Sequence, residues 1–257
     1  MEFSEQNAEE ELIDGGKVMS LWDHLDELRS RLTRSLIGIL LIFFVTFTYA
    51  EHVLNYIKIP LIEALPKGVN SINFTGPLDV FIINIKISFL IGIIFGCPIW
   101  LYQFWKFFEP ALYPKERKYI LPFTFCSVAL FFAGVTFAYA VILPLTLEFL
   151  LEIGLKIGTP IITIKDYISM LMMLIFGFGI VFETPVILVL LAMLGIVDVE
   201  SLRKYRSFVI VGILVLGAML TPPDPISQLA LAGPVYVMYE IAIIIISIIK
   251  KKEAKNS

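Results

Sequence analysis

The sequence predicts an all-α integral membrane protein with six transmembrane helices, both termini in the cytoplasm, and an N-terminal amphipathic interfacial helix. Of the 257 residues, 58% are hydrophobic and 17% are charged, against about 25% charged in an ordinary soluble domain. The apolar residues gather in blocks, and a helix needs about 20 residues to cross a bilayer core about 30 Å thick. Lys and Arg cluster at alternate gaps between these blocks, as they do in proteins that cross a membrane repeatedly.

The blocks divide the chain into three segments. Residues 1–19 form an acidic flexible leader, residues 20–250 the six-helix transmembrane domain, and residues 251–257 a basic cytoplasmic tail. The expected spans are 36–50, 80–102, 119–143, 168–194, 207–221 and 226–249.

Two further expectations concern the connections between the spans and the length of the fifth span. The intervals 51–77 and 144–166 are expected to be polar connections outside the membrane. The fifth block has 15 residues, about 22 Å as a helix, so we expect the bilayer to thin around it.

An amphipathic helix is predicted ahead of the first span. Ser20 is a candidate N-cap, and the leucines that follow it are spaced by four, three and four residues. At 100° per residue these side chains share one narrow arc. The helix is therefore expected to lie along the cytoplasmic interface and to run into the first apolar block. The leucines are Leu21, Leu25, Leu28 and Leu32.

The orientation follows from the distribution of basic residues. With the N-terminus inside, fifteen Lys and Arg residues fall in inner segments and four in outer loops, which leaves Lys86 within the second block. The positive-inside rule then places both termini in the cytoplasm.

The sequence offers no catalytic or metal-binding motif. Its two cysteines, Cys97 and Cys126, and its two histidines, His24 and His52, have no partners at ligand spacing, so neither a disulfide framework nor a metal site is predicted. No nucleophile, nucleotide fingerprint or cleavable signal peptide is recognisable. We expect no enzyme activity, no cofactor and no nucleic-acid partner.

Two acidic residues lie at membrane depth. Glu183 falls inside the fourth block and Glu240 inside the sixth. A charge at the centre of the bilayer costs about 2.5 kcal/mol or more, so such residues face protein or water and often serve function. The alternative for Glu183 is a protonated acid that hydrogen-bonds to another helix. Glu240 carries the same two interpretations with weaker support.

Two acids at the predicted cytoplasmic face have simple interpretations when taken alone. Glu27 and Arg31 stand four residues apart on the polar side of the amphipathic helix, which favours a salt bridge. Glu116 stands among Lys115, Arg117 and Lys118 in the loop between the second and third spans. On these features both acids read as ordinary solvated charges.

The order of four motifs resembles the TatC family, the multispanning subunit of the twin-arginine protein translocase. Residues 24–29 read HLDELR and resemble the HLxELRxR opening of that family. Residues 110–117 read PALYPKER, residues 178–185 read FGIVFETP, and residues 220–228 read LTPPDPISQ, all similar to family segments in the same order. The resemblance covers roughly residues 21–250, and the order of the motifs makes it specific.

The resemblance implies a signal-peptide receptor in the bacterial cytoplasmic membrane. Glu27 and Glu116 would engage the paired arginines of a signal peptide, with Phe107 lining the same region and Arg29 part of the same motif. Bidentate pairing between arginine and carboxylate agrees with this role.

The resemblance also implies partners and an energy source. Glu183 would lie on the concave face, where single-span subunits of the TatA and TatB type or the inserted peptide meet it. Further expectations are transport of folded proteins, dependence on the proton gradient, contact with membrane lipid, and a hetero-oligomer with several copies.

Two residues are assigned to structural turns, and one rival function is kept. Pro60 lies in the first outer connection, and Asp224 lies in the turn before the last span, where it is also a candidate N-cap. The acidic leader before Ser20 departs from the family pattern without an evident role. The alternative function is a proton-coupled small-solute transporter that uses Glu183.

Overall fold

The computed structural model describes residues 21–65, 73–74, 76–112, 117–158, 161–220 and 225–256, and this part of the chain consists of helices joined by short turns and irregular segments, with one isolated bridge between Asn73 and Thr163. The helices in chain order are α1 (Leu21–Thr48), α2 (Ala50–Ile57), α3 (Ile59–Ala64), α4 (Pro77–Phe107), α5 (Ile120–Phe137), α6 (Leu143–Ile157), α7 (Ile164–Val181), α8 (Thr184–Met193), α9 (Val199–Lys204), α10 (Arg206–Leu220) and α11 (Pro225–Asn256). Short 3-10 turns at Glu109–Ala111 and Arg117–Tyr119 flank the loop between α4 and α5.

The first helix is unbroken, which agrees with the expectation that the amphipathic helix runs into the first apolar block. α1 runs for 28 residues, about 42 Å. The leucines at its start whose side chains the structure describes are exposed: Leu25 is 54%, Leu28 43% and Leu32 66% exposed. Such an apolar surface suits lipid contact.

Helix α1 packs along α4 through small residues. A Cβ built on Gly92 would lie 3.0 Å from the backbone oxygen of Ile39, and one built on Gly38 would lie 2.9 Å from the Ile99 side chain. These glycines therefore let the two backbones approach closely. The approach brings the start of α1 beside the end of α4.

Five described helices are long and apolar enough to cross a membrane: His24–Thr48, Pro77–Phe107, Arg117–Ile157, Ile164–Met193 and Gln228–Lys251. A shorter apolar helix, Arg206–Met219, corresponds to the fifth block of the sequence. The predicted shortness of that block is confirmed, since α10 has 15 residues.

The expected polar intervals are partly helical. Residues 144–157 continue the third span, because α5 passes through a π-helical turn at Ala138–Ile142 directly into α6. Pro144 stands in the first turn of α6, directly after the π-helical turn, and a local π-turn is one way in which a helix continues past a proline that cannot donate a hydrogen bond. In the first outer interval, α2 and α3 replace the expected irregular loop.

The fourth span is two helices and not one. α7 ends at Val181 and α8 begins at Thr184, with Phe182 and Glu183 between them. The Glu183 N–H bonds to the Ile180 oxygen at 3.0 Å, a tightened turn ahead of Pro185. Together α7 and α8 form the most buried of the five long spans, and they place Glu183 at their junction inside the bundle.

Candidate functional site

The start of α1 and the end of α4 bring together most of the sequence-predicted recognition residues that the structure describes. The rings of His24 and Phe107 stack with centroids 4.4 Å apart and planes 22° apart. Glu27 lies one turn further along α1 from His24, and Gln103 one turn back along α4 from Phe107. We call the set His24, Glu27, Arg31, Gln103 and Phe107 the α1–α4 cluster.

The carboxylate of Glu27 is paired on one oxygen only. Arg31 donates both Nε, at 2.9 Å, and Nη2 to Glu27 Oε1. The other oxygen, Oε2, is buried and has no hydrogen-bond partner among the residues that the structure describes. The salt bridge predicted between Glu27 and Arg31 is therefore present, but one of the two carboxylate oxygens is left unpaired and buried.

Gln103 supports the arginine from the neighbouring helix. Arg31 Nη1 donates to Gln103 Oε1 at 3.4 Å, a long hydrogen bond. Arg31 is 14% exposed and Glu27 17% exposed at the side chain, so the pair is shielded more than an ordinary surface pair. Sequence reasoning did not single out Gln103, although a lone amide one helical turn from Phe107 within an aromatic run was a usable signal.

An apolar groove begins at this cluster and follows the α1–α4 contact. Its volume is about 430 Å³. One wall comes from Leu28, Leu32 and Leu36 of α1, and the other from Ile93, Trp100 and Phe104 of α4. Arg31, Gln103 and Phe107 lie at the same end of this groove. A chain with a cationic part followed by an apolar part would match this order of charge and hydrophobicity.

Three of the other sequence-predicted residues are not brought to the cluster by the described structure. Glu116 and Asp224 lie outside the described residues. Arg29 is exposed and lies about 200° around α1 from Glu27, on another face of the helix. Glu109, close to Glu116 in sequence, forms an ion pair of 3.0 Å with Lys106.

Glu183 is buried in the centre of the bundle, with 5% of its surface exposed. The Ser127 hydroxyl is close enough to interact with its carboxyl group. Even so, neither carboxyl oxygen forms a well-aligned hydrogen bond within the described part of the chain. Ser127 instead accepts the indole N–H of Trp105 at 2.8 Å. The interpretation of Glu183 as an acid that hydrogen-bonds to another helix therefore has weak geometric support.

Glu240 has a clear partner, unlike Glu183. Arg206 Nη2, at the start of α10, donates to Glu240 Oε2 at 2.6 Å, and the Tyr236 hydroxyl donates to Oε1 at 2.9 Å. The acid thus ties α10 to α11. This pairing favours the structural interpretation of Glu240.

Asp79 and Lys86 lie toward the opposite end of α4, and Pro60 lies in α3. Asp79 pairs with Lys165 at 3.1 Å, and Lys86 donates to Ser169 at 2.7 Å, so each side chain reaches α7. Pro60 lies in the first turn of α3 and lines a groove of about 810 Å³. No group of three or more potential metal ligands occurs among the described residues.

The chain is similar over most of its length to proteins of one family. The family model described as Sec-independent protein translocase protein (TatC) matches residues 23–234. The Sec-independent protein translocase protein TatC of Azotobacter chroococcum mcd 1 is 39% identical over 240 residues, which cover 93% of this chain and 94% of the relative. The protein of the same name from Escherichia coli (strain K12) is 40% identical over 223 residues, 86% and 85% of the two chains.

A solved structure agrees with this similarity. It is described as the Crystal Structure of Twin Arginine Translocase Receptor- TatC and has a TM-score of 0.73 to this chain at 37% identity. The match covers 88% of this chain and 98% of that chain. The similarity therefore extends to the arrangement of the helices that carry the α1–α4 cluster.

Proposed function

We propose that this chain, which belongs to the TatC family of Sec-independent protein translocase proteins, is the receptor for twin-arginine signal peptides and the core subunit of a translocase for folded proteins. Its relatives are translocase subunits, and one solved relative is described as a receptor. The proposal gives this chain a binding role and no catalytic step.

The observation that carries the proposal is the buried oxygen Oε2 of Glu27, which has no hydrogen-bond partner in the described part of the chain. A buried carboxylate oxygen without a donor costs about 1–3 kcal/mol, and a guanidinium from a bound peptide would relieve that cost with a charge-assisted hydrogen bond. Phe107 belongs to the same cluster and stacks on His24 through one face, and an aromatic face can also stack on a guanidinium plane. The α1–α4 cluster thus has the charge and shape that an arginine side chain needs.

A pair of arginines requires a second acid, and we assign that role to Glu116. Glu116 lies four residues after Leu112, a buried residue beyond the end of α4. The loop that carries Glu116 therefore starts near the cluster. Arg29 belongs to the same motif as Glu27 but lies on a different face. We therefore expect Arg29 to contact another part of the peptide, or the lipid headgroups, and not the paired arginines.

The proposed topology has six spans, with α10 as the fifth, and both termini in the cytoplasm of a bacterial cell. The α1–α4 cluster then faces the compartment in which precursor proteins are made. In this proposal transport depends on the proton gradient, and the subunit works in several copies with single-span subunits of the TatA and TatB type. Glu183 is proposed to meet such a subunit or the inserted peptide, and Asp224 and Pro60 to shape turns.

Co-purification with a precursor tests the receptor function. A tagged precursor with an Arg-Arg pair is expected to retain the full chain in detergent, and a matched precursor with Lys-Lys to lose it, because a lysine cannot make the bidentate contact. Glu27→Ala and Glu116→Ala should each abolish crosslinking to the Arg-Arg signal peptide. Equal retention of the two precursors, or crosslinking unchanged in both variants, contradicts the receptor function.

A second function is supported by the unpartnered carboxyl group of Glu183. A buried acid at membrane depth is a common feature of proton-coupled transport, so a small-solute transporter that uses Glu183 is the alternative. Solute uptake by the purified chain in liposomes, lost in Glu183→Gln, would favour this alternative over the receptor. No uptake together with selective precursor binding would exclude it.

A further inference from the structure

The pairing geometry of Arg31 differs from that of an ordinary bidentate salt bridge. In the usual fork, two N–H groups meet the two oxygens of the carboxylate. Here both donors of Arg31 converge on Oε1 of Glu27, and Oε2 is left buried without a partner in the described part of the chain. Arg31 therefore occupies one of the two carboxylate oxygens of Glu27, the acid that we assign to peptide recognition.

We infer that Arg31 is an internal competitor for Glu27, a specificity-determining residue that an incoming peptide arginine must partly displace. This inference rests on the proposed receptor function. Because Oε2 is buried as well as unpaired, a peptide guanidinium reaches it only as the side chains around it rearrange, and full bidentate contact requires Arg31 to release Oε1.

Gln103 offers a hydrogen-bond partner to Arg31 after its displacement. Its side-chain oxygen already accepts from Arg31 Nη1 at 3.4 Å, which is long for a hydrogen bond. When Arg31 leaves Oε1, this contact can shorten, so the residue keeps one partner on α4. The cost of displacement is thereby reduced without being removed.

Competition from Arg31 also increases the preference for arginine over lysine in the signal peptide. A peptide lysine brings one compact ammonium group, whereas Arg31 offers two donors in a fixed fork. When a peptide arginine displaces Arg31, it forms equivalent contacts to Oε1 of Glu27 and also pairs with Oε2. When a peptide lysine displaces Arg31, a two-donor guanidinium contact to Glu27 is replaced by a single ammonium group, so the exchange is less favourable for lysine.

The test measures binding of a fluorescent signal peptide to the full chain in lipid nanodiscs, in Arg-Arg and Lys-Lys forms. Arg31→Gln frees Glu27 and is expected to bind the Arg-Arg peptide about threefold to tenfold more tightly, with slower dissociation, as expected for the loss of a partly buried competing ion pair. The preference for Arg-Arg over Lys-Lys should fall in the same variant. Unchanged or weaker peptide binding in Arg31→Gln overturns the inference.

A matched control separates competition from the loss of a positive charge. Arg34 lies on the same helix and is exposed, so Arg34→Gln removes the same charge without freeing Glu27. Its affinity for the peptide should change by less than about twofold, because an exposed charge is screened by solvent and salt. An equal gain in Arg34→Gln would show that general electrostatics, and not displacement, sets the affinity.

Two more variants complete the design. If Arg31→Gln does not fold, Arg31→Lys keeps the charge but loses the two-donor fork, and it is expected to bind about twofold to fivefold more tightly. Glu27→Gln should weaken binding. A wild-type chain that binds both peptides equally overturns the receptor function and this inference with it, whereas selective binding without a gain in the Arg31 variants overturns the inference alone.

Discussion

The indole N–H of Trp105 donates to the Ser127 hydroxyl at 2.8 Å, and this same hydroxyl approaches the carboxyl group of Glu183. Trp105 is on α4, Ser127 is on α5, and Glu183 lies between α7 and α8, so three spans meet at one buried polar point. Trp105 and Ser127 are both almost fully buried. In an apolar interior such a contact fixes the relative position of helices because its donor has no alternative partner.

Ser127→Ala should destabilise the bundle. The substitution leaves the Trp105 N–H buried without an acceptor, and we expect the free energy of unfolding to fall by about 1–2 kcal/mol. Thermal unfolding in detergent, followed by tryptophan fluorescence, measures the change. Thr124→Ala on the same helix is the control, because Thr124 donates to the Ile120 oxygen of its own helix and not to a neighbouring helix of the described structure. An equal loss in both variants would contradict the cross-helix role.

Glu183→Gln should separate stability from function. An unpartnered carboxylate at membrane depth is costly when charged, so the neutral amide should leave the unfolding temperature unchanged or raise it. Under the receptor function, export of a twin-arginine precursor in a complementation assay should nevertheless fall severalfold. A marked loss of stability in Glu183→Gln would instead support a structural acid that donates its proton to another helix.

Gly179→Ala should destabilise the contact between α5 and α7. A Cβ at this position would lie 2.6 Å from Phe131 Cε2, and overpacking of this kind typically costs about 1–3 kcal/mol. Phe131→Leu in the same chain should restore part of the loss. Gly212→Ala on α10 is the control, because a Cβ there meets nothing within 4 Å and alanine favours the helix. A similar loss in Gly212→Ala would rule out the packing explanation.

The sequence predicted the apolar blocks well because their cause is local. A run of apolar residues is read directly from the chain, and so is a spacing of four residues, which is why the pair of Glu27 with Arg31 was predicted correctly. The position of Phe107 near Glu27 came from the motif resemblance, since no periodicity relates residues on two different helices. The structure brings them together through α1 and α4.

Other features depended on packing and could not be read from the sequence. Pro144 looked like the start of a loop, yet a π-helical turn before it allows the helix to continue. Glu240 looked equivalent to Glu183, yet Arg206, 34 residues away, reaches only Glu240 within the described residues. A partner at that separation is set by the arrangement of α10 and α11, which the pattern of apolar residues does not specify.

The ion pair of Arg206 with Glu240 should couple the two helices energetically. A double-mutant cycle with Arg206→Gln and Glu240→Gln is expected to give a coupling free energy of about 0.5–1.5 kcal/mol for this partly exposed pair between α10 and α11. Thermal or SDS-induced unfolding of the four proteins measures it. The exposed pair of Glu152 with Lys156 within α6 is the control and should show no resolvable coupling. Additive effects at Arg206 and Glu240 would contradict the pairing.

The short helix α10 should make the stability of the protein depend on bilayer thickness. Its 15 residues span about 22 Å, against a hydrocarbon core of about 30 Å, and each ångström of mismatch costs a fraction of a kcal/mol. The unfolding temperature in nanodiscs should therefore be higher with short-chain lipids than with long-chain lipids. Insertion of four leucines after Leu216 lengthens the helix by about 6 Å and should move the optimum toward thicker bilayers. An optimum that stays in place after the insertion would mean that the longer neighbouring helices, and not α10, set the preferred thickness.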